Sequence, residues 1–290
     1  MNMESKESVM LTNFIGHGPS RAQAIEFHGQ KAVMKIFPDT ERERVVLETH
    51  KMQTLREMSA ETQLFKVPKI LEITPTTYTM EFIPDCKDLN MALNHFPVNT
   101  TVERITRIIN FFATKPGYST CPVWDVMLEK FKALKIDNER YNRAVVRLPL
   151  HLNIWSSFSH GDLSFDNVLV DSKGEWYLID PAWSKAESPY WDIGKVFQST
   201  AFNWEYIKHT GRRGPRSDKL VAINDGILNQ FFSVQDAQLQ FMLLGTACQL
   251  ARVARWCYAE TLVPIINTLL ETYLNESNDD RCLDALRGTV

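Results

Sequence analysis

The stretch His160-Gly161-Asp162 is followed by Asn167, five residues past the aspartate, and by Asp180 at the close of a short apolar run. It reads HGDLSFDNVLVDSKGEWYLIDP. These are the residue types that phosphoryl transfer from a nucleotide requires. One carboxylate can face an acceptor hydroxyl, while an amide oxygen and a second carboxylate can hold Mg²⁺ on a triphosphate. The pattern His-Gly-Asp-x-x-x-x-Asn arises by chance in on the order of one chain of this composition in a thousand. It therefore outweighs the bland alternative, a loop aspartate beside an Asx turn, because the flanking strand-like runs put Asp180 where the chemistry needs it.

Such residues need elements to hold them. Residues 10 to 37 alternate β-prone runs with turns: Leu11 to Ile15, Ala22 to Phe27 and Lys31 to Phe37, with a Gly16-His17-Gly18-Pro19-Ser20 turn and a His28-Gly29-Gln30 turn between them. This spacing predicts an antiparallel meander. Pro38-Asp39-Thr40 opens a helix that runs to about Met58, with Val45, Leu47, Glu48, Met52 and Leu55 inward. VPKILEI and TTYTMEFI are two further strands around Thr74-Pro75. Short strands are expected at Val168 to Val170 and Trp176 to Ile179. Helices are expected at Thr101 to Ala113, Trp124 to Leu134, Val221 to Phe232, Gln235 to Tyr258 and Leu262 to Leu274. The expectation is an α+β, bilobal arrangement: a small antiparallel-sheet N-lobe over residues 1–84, a larger mainly helical C-lobe over 85–290, and a ligand cleft between them.

Bulk properties narrow the classes. The 290 residues allow one two-lobed domain, and 44% hydrophobic with 23% charged residues is ordinary for a globular chain. A net charge of -3 gives no general attraction to nucleic acid or to an anionic membrane, so neither is expected as a partner. The five cysteines are scattered without a CxxC pair, and the start MNMESKESVM has no basic region leading into an apolar run. Both features point to reduced thiols in the cytoplasm. The most apolar long segment, Leu239 to Tyr258, carries Arg252 and Arg255 and reads as a core helix rather than a membrane span.

HGDLSFDNVLV, LIDPAW, YWDIGKVF and the pair VPKILEI and TMEFIPD together resemble the aminoglycoside phosphotransferase and choline kinase group of protein-kinase-like small-molecule kinases. The likeness spans roughly residues 12 to 200 and suggests the capsule-type sugar kinases within that group. It implies a protein-kinase-like fold, ATP and Mg²⁺ as cofactors, and transfer to a small-molecule hydroxyl. Residue by residue, it implies that Asp162 orients or deprotonates the acceptor, and that Asn167 and Asp180 bind Mg²⁺. Lys35 would reach the α- and β-phosphates, with Glu48 holding it. The turn containing Gly16 and Gly18 would cover the phosphates, although the third glycine of such a loop is replaced by Arg21. Glu81 and Ile83 would meet the adenine edge, with Met80 against the ring. His160 would lock the catalytic loop, and Asp192 would brace its backbone. Only eleven residues separate Asp180 from Asp192, too few for a long regulated activation segment.

The acceptor is less legible. Between Gly226 and Tyr258 one acid, Asp236, stands against Arg252 and Arg255, which disfavours a polycationic drug. The basic stretch KHTGRRGPRSDK, residues 208 to 219, reads as a solvated loop or as a site where Arg212, Arg213 or Arg216 meets an anionic acceptor or phosphate. Trp183 and Trp191 are candidates to stack on a sugar ring or to cage a quaternary amine. The leading expectation is an ATP-dependent kinase of a sugar or sugar-like polyol. The alternatives are an amino-alcohol or aminoglycoside kinase, a protein Ser/Thr kinase, and a nucleotide-binding pseudokinase.

Overall fold

The computed structural model describes residues 9–14, 20–134, 139, 155–232, 236–255, 257–274 and 279–289. The chain divides into two compact units. One takes the chain up to Lys87 together with Val168–Trp183; the other takes Asp88–Asn167 and everything from Ser184 onward.

The first unit is a five-stranded antiparallel sheet with one long helix. Its strands are β1 (Val9–Phe14), β2 (Arg21–Phe27), β3 (Gln30–Ile36), β4 (Ile70–Ile73) and β5 (Thr77–Glu81), in the order β1-β2-β3-β5-β4. The β2–β3 register is set by a two-residue turn. His28 and Gly29 both have positive φ (51° and 79°), the twist that a tight antiparallel connection demands. Helix α1 (Arg42–Ser59) buries Val45, Glu48, Met52 and Leu55 as expected from the sequence, whereas Leu47, also expected inward, is only half-buried. Ile25, Ala32, Phe37, Phe65 and Tyr78 complete this core.

A single cut near Pro84 does not describe this division. Strands β6 (Val168–Val170) and β7 (Trp176–Leu178) form a hairpin that groups with the first unit. The cause is a parallel bridge. Lys66 N–H donates to the Trp176 carbonyl at 2.7 Å, and Leu178 N–H donates to the Lys66 carbonyl at 2.9 Å. Asp180 therefore belongs with the sheet unit.

The second unit is helical: α2 (Leu89–Ala92), α3 (Val98–Ala113), α4 (Val123–Lys132), α5 (Pro189–Thr200), α6 (Trp204–Thr210), α7 (Asp218–Phe232), α8 (Asp236–Ala254), α9 (Ala259–Leu274) and α10 (Asp279–Arg287). Among the described residues no helix is long and apolar enough to cross a membrane. Helix α5 starts at the Ser188 cap with Pro189 in its first turn, and all twelve of its residues are buried. It crosses α8 at two glycines. A Cβ on Gly194 would lie 2.6 Å from the Gly245 carbonyl oxygen, and one on Gly245 would lie 2.5 Å from the Tyr190 carbonyl oxygen. Only glycine permits the two backbones to approach this closely.

The stretch 208–219 is less a loop than expected. Lys208, His209 and Thr210 close α6, and Asp218 opens α7. Arg213 donates to the Gly288 carbonyl and Arg216 to the Thr200 carbonyl, which ties the segment to the second unit's own helices.

Candidate active site

In the sheet unit, Lys35 on β3 and Glu48 on α1 form a buried ion pair (5% and 2% exposed). Lys35 also reaches Asp180 Oδ1 at 3.1 Å. Tyr78, paired across from Lys35 on β5, donates its hydroxyl to Glu48 Oε1 at 2.8 Å. The lysine thus stands between two carboxylates, one of which is itself fixed by a phenol. Burial alone would lower the Lys35 pKa, but Asp180 and Glu48 outweigh it and raise it, so the ammonium stays charged. Burial pushes Glu48 and Tyr78 upward, Tyr78 well above the usual phenol range.

Asp180 has a positive φ of 54°, uncommon for a residue bearing a Cβ, although aspartate tolerates it better than most. The turn it makes is anchored from α1: Lys51, 4% exposed, donates to the Ala182 carbonyl at 2.8 Å. Lys51 was not singled out from the sequence, since a lysine in a helix pattern reads as solvated.

Met80 and Ile83 are each 6% exposed at and just beyond the end of β5, and Glu81 N–H donates to the Lys69 carbonyl. Among the described residues the Ile83 N–H makes no hydrogen bond. Gly16 and Gly18 lie outside the described residues.

In the helical unit, the loop from His160 to Asn167 is held by its backbone. Asp192, buried on α5, accepts from His160 N–H and Gly161 N–H, each at 2.7 Å. Phe165 N–H donates to Ser199 Oγ one helical stretch further along α5. From α8, Gln249 Nε2 donates to the Gly161 and Trp191 carbonyls at 3.4 and 3.1 Å. Asn167 Nδ2 donates to the Asp162 carbonyl at 2.8 Å. Because this bond uses the amide nitrogen, Oδ1 is left as the group able to ligate.

The Asp162 carboxylate meets two cations that the sequence reading did not pair with it. Lys195 Nζ lies 3.1 Å from Oδ1, and Arg252 lies 2.6 Å from Oδ2. Lys195 sits one turn beyond Asp192 on α5. On α8, Gly245, Gln249 and Arg252 repeat at i, i+4 and i+7, so the helix crossing at the glycines also brings Arg252 to the loop. Burial would raise the Asp162 pKa, yet Arg252 and Lys195 overcome it and hold the carboxyl well below the usual range. Lys195 is pushed down to about 8, first by its burial and then by Arg252.

Backbone trace and element order place the chain among solved structures of known fold. The protein is similar to a putative fructosamine-3-kinase from Haemophilus somnus, with TM-score 0.60 and 14% identity over 93% of this chain and 91% of that one. It is similar also to the choline kinase LicA of Streptococcus pneumoniae, with TM-score 0.55 and 15% identity over 97% and 92%. A third likeness is to a ternary complex of streptomycin, ATP and APH(2")-IIa, with TM-score 0.58 and 10% identity over 92% and 86%. No protein-family model and no curated protein sequence matches the chain. The chain has the protein-kinase-like fold of these structures.

The two tryptophans proposed for acceptor contact differ. Trp183 is 37% exposed, whereas Trp191 is enclosed at 1%, donates Nε1–H to the Ala186 carbonyl at 2.9 Å and carries Lys130 over its ring at 4.4 Å. Trp191 is thus a core residue whose face is already occupied. Arg212 is exposed, and the guanidinium of Arg213 is engaged by Gly288.

Proposed function

We propose that this protein is an ATP- and Mg²⁺-dependent kinase that transfers a phosphoryl group to a hydroxyl of a small molecule, a sugar or sugar-like polyol. The observation that carries the reading is Lys35 held between Glu48 and Asp180, a buried ammonium pre-set to meet phosphate oxygens. The fold likeness supports it: the similar structures are described as a fructosamine-3-kinase, a choline kinase and a complex holding ATP with streptomycin.

The chain's own groups suggest how it would work. Asp162, ionised at any physiological pH, is too weak a base to strip an alcohol outright; it orients the acceptor hydroxyl and takes its proton only as transfer proceeds. The loose transition state of phosphoryl transfer asks for little more than that. Asp192 and Gln249 keep the loop backbone in place, so the carboxylate is positioned before substrate arrives. Asn167 Oδ1 and the Asp180 carboxylate are hard oxygen donors of the kind Mg²⁺ takes alongside water and phosphate oxygens. When bound, the metal supplies charge neutralisation on the phosphates.

The test is ADP release from ATP with a panel of sugars, polyols and amino alcohols, with and without a Mg²⁺ chelator. Acceptor-dependent release that the chelator abolishes is expected. Release at background across the panel while nucleotide binds tightly would favour a pseudokinase instead.

A further inference from the structure

The groups around Asp162 do not balance in charge. Lys195 and Arg252 both touch its carboxylate, and Lys130 on α4 lies within electrostatic reach of Arg252 and Asp162. Lys130 makes no ion pair among the described residues; its ammonium rests on the Trp191 ring, whose backbone carbonyl is in turn bonded by Gln249. Arg255 closes the same end of α8 and acts on Lys130 as well. Three cations thus gather around Asp162, with Asp166 a second carboxylate within electrostatic reach of Lys195. The side chains of Arg252 and Asp162 keep about a fifth to a quarter of their surface exposed (21% and 24%), so the cluster is reachable from solvent.

The lysines respond as they should in a site short of negative charge. Burial lowers the Lys130 pKa, and Arg252 and Arg255 lower it further. Lys195 is lowered first by its burial and then by Arg252, against the pull of Asp162 and Asp166. An anion entering beside them would relieve this repulsion in a poorly solvated setting, where each charge-assisted contact is strong. A cationic amine would meet the opposite, since Asp162 is already doubly engaged and Asp166 is paired with Lys208.

We propose that the acceptor is itself an anion, a hydroxyl compound bearing a carboxylate or phosphate group that is received by Lys130 and Arg252 while its hydroxyl faces Asp162. This rests on the kinase reading above and specifies its acceptor. The rival occupant of the cations is the terminal phosphate of the nucleotide, so the test keeps that position filled.

The experiment is isothermal titration calorimetry on the full chain saturated with Mg²⁺ and a non-hydrolysable ATP analogue, titrated with glucose, gluconate, glucose 6-phosphate, inorganic phosphate and choline. Gluconate or glucose 6-phosphate should bind about ten-fold or more tightly than glucose, the scale of one charged hydrogen bond, and choline least. Which of the two wins tells carboxylate from phosphate. Lys130→Gln should remove about ten-fold of the anion affinity, and Lys130→Arg should keep it. Glucose or choline binding as tightly as the anions, or an anion affinity indifferent to Lys130→Gln, would overturn the proposal. Parallel ADP assays separate the two readings. Anion binding with no transfer to any acceptor counts against the kinase alone; efficient transfer to glucose or choline without anion preference counts against the anionic acceptor alone.

Discussion

The two units carry mirror-image charge triads. In the sheet unit one cation, Lys35, is clasped by two carboxylates, Glu48 and Asp180. In the helical unit one carboxylate, Asp162, is clasped by two cations, Lys195 and Arg252. Taken alone the first leaves a net negative charge, partly offset by Arg44 3.8 Å from Glu48 Oε2, and suits the metal cation proposed there. The second leaves a net positive charge, suited to an anion. Each central group is kept ionised by its flanking pair; Glu48 comes from a helix in the first triad, and both flanks come from helices in the second. The same device, built with opposite sign, underlies the two ligand preferences proposed above.

Removing a charge from the first triad has the largest consequence. Asp180→Asn takes away both the proposed hard oxygen ligand and a Lys35 partner. It is expected to lower turnover about 10²–10³-fold and to raise the Mg²⁺ concentration needed for half-maximal rate. Steady-state kinetics across a Mg²⁺ series would read both effects, and a variant with wild-type Mg²⁺ dependence would remove Asp180 from the metal's ligands.

The second triad depends on the α5–α8 crossing rather than on a pair of residues alone. Gly245→Ala would press a methyl group toward the Tyr190 carbonyl, a backbone atom that cannot step aside. A loss of about 1–3 kcal/mol in stability is expected, with the midpoint of thermal unfolding lowered accordingly. The same substitution should displace Arg252 and raise the Asp162 pKa toward the ordinary range, visible as a new acidic limb in the pH–rate profile. Unchanged unfolding would mean that the helices can separate at little cost.

Asp166 provides the smallest test. It accepts from Asn90 at 2.7 Å and pairs with Lys208 at 3.2 Å, yet its pKa is raised to about 6, first by burial, against Lys208 and together with Glu205 and Asp88. A folded value above the ordinary one, about 4, means that its contribution is fully present below about pH 4 and is lost as pH rises through about 6. Asp166→Asn should therefore gain stability relative to the wild type between about pH 5 and pH 7.5, on the order of 1 kcal/mol. Paired thermal melts at the two pH values would show whether the difference widens in that direction.

What could be read from the sequence followed from how each element displays its pattern. The meander was legible because β2 and β3 alternate around a turn with its own chemistry, and Glu48 was legible because α1 has one buried side. Helix α5 was not, apart from its likeness to YWDIGKVF. A helix buried on every face shows no stripe, so Lys195 carried no periodic signal and only Asp192 stood out. Arg252 was visible only as a charge to be counted. Its meeting with Asp162 depends on two glycines 51 positions apart in sequence, Gly194 and Gly245, and no local pattern announces that contact. The short helices α6 and α10 were missed for want of length.

The central claim is that Asp162 serves transfer of a phosphoryl group to a small molecule. The most direct measurement follows label from γ-labelled ATP in a deproteinised metabolite extract, with wild type and Asp162→Asn side by side. A new labelled compound in the low-mass fraction is predicted for the wild type, reduced about 10³-fold in the variant. Label that appears on protein instead, or in equal amount with both enzymes, would contradict it.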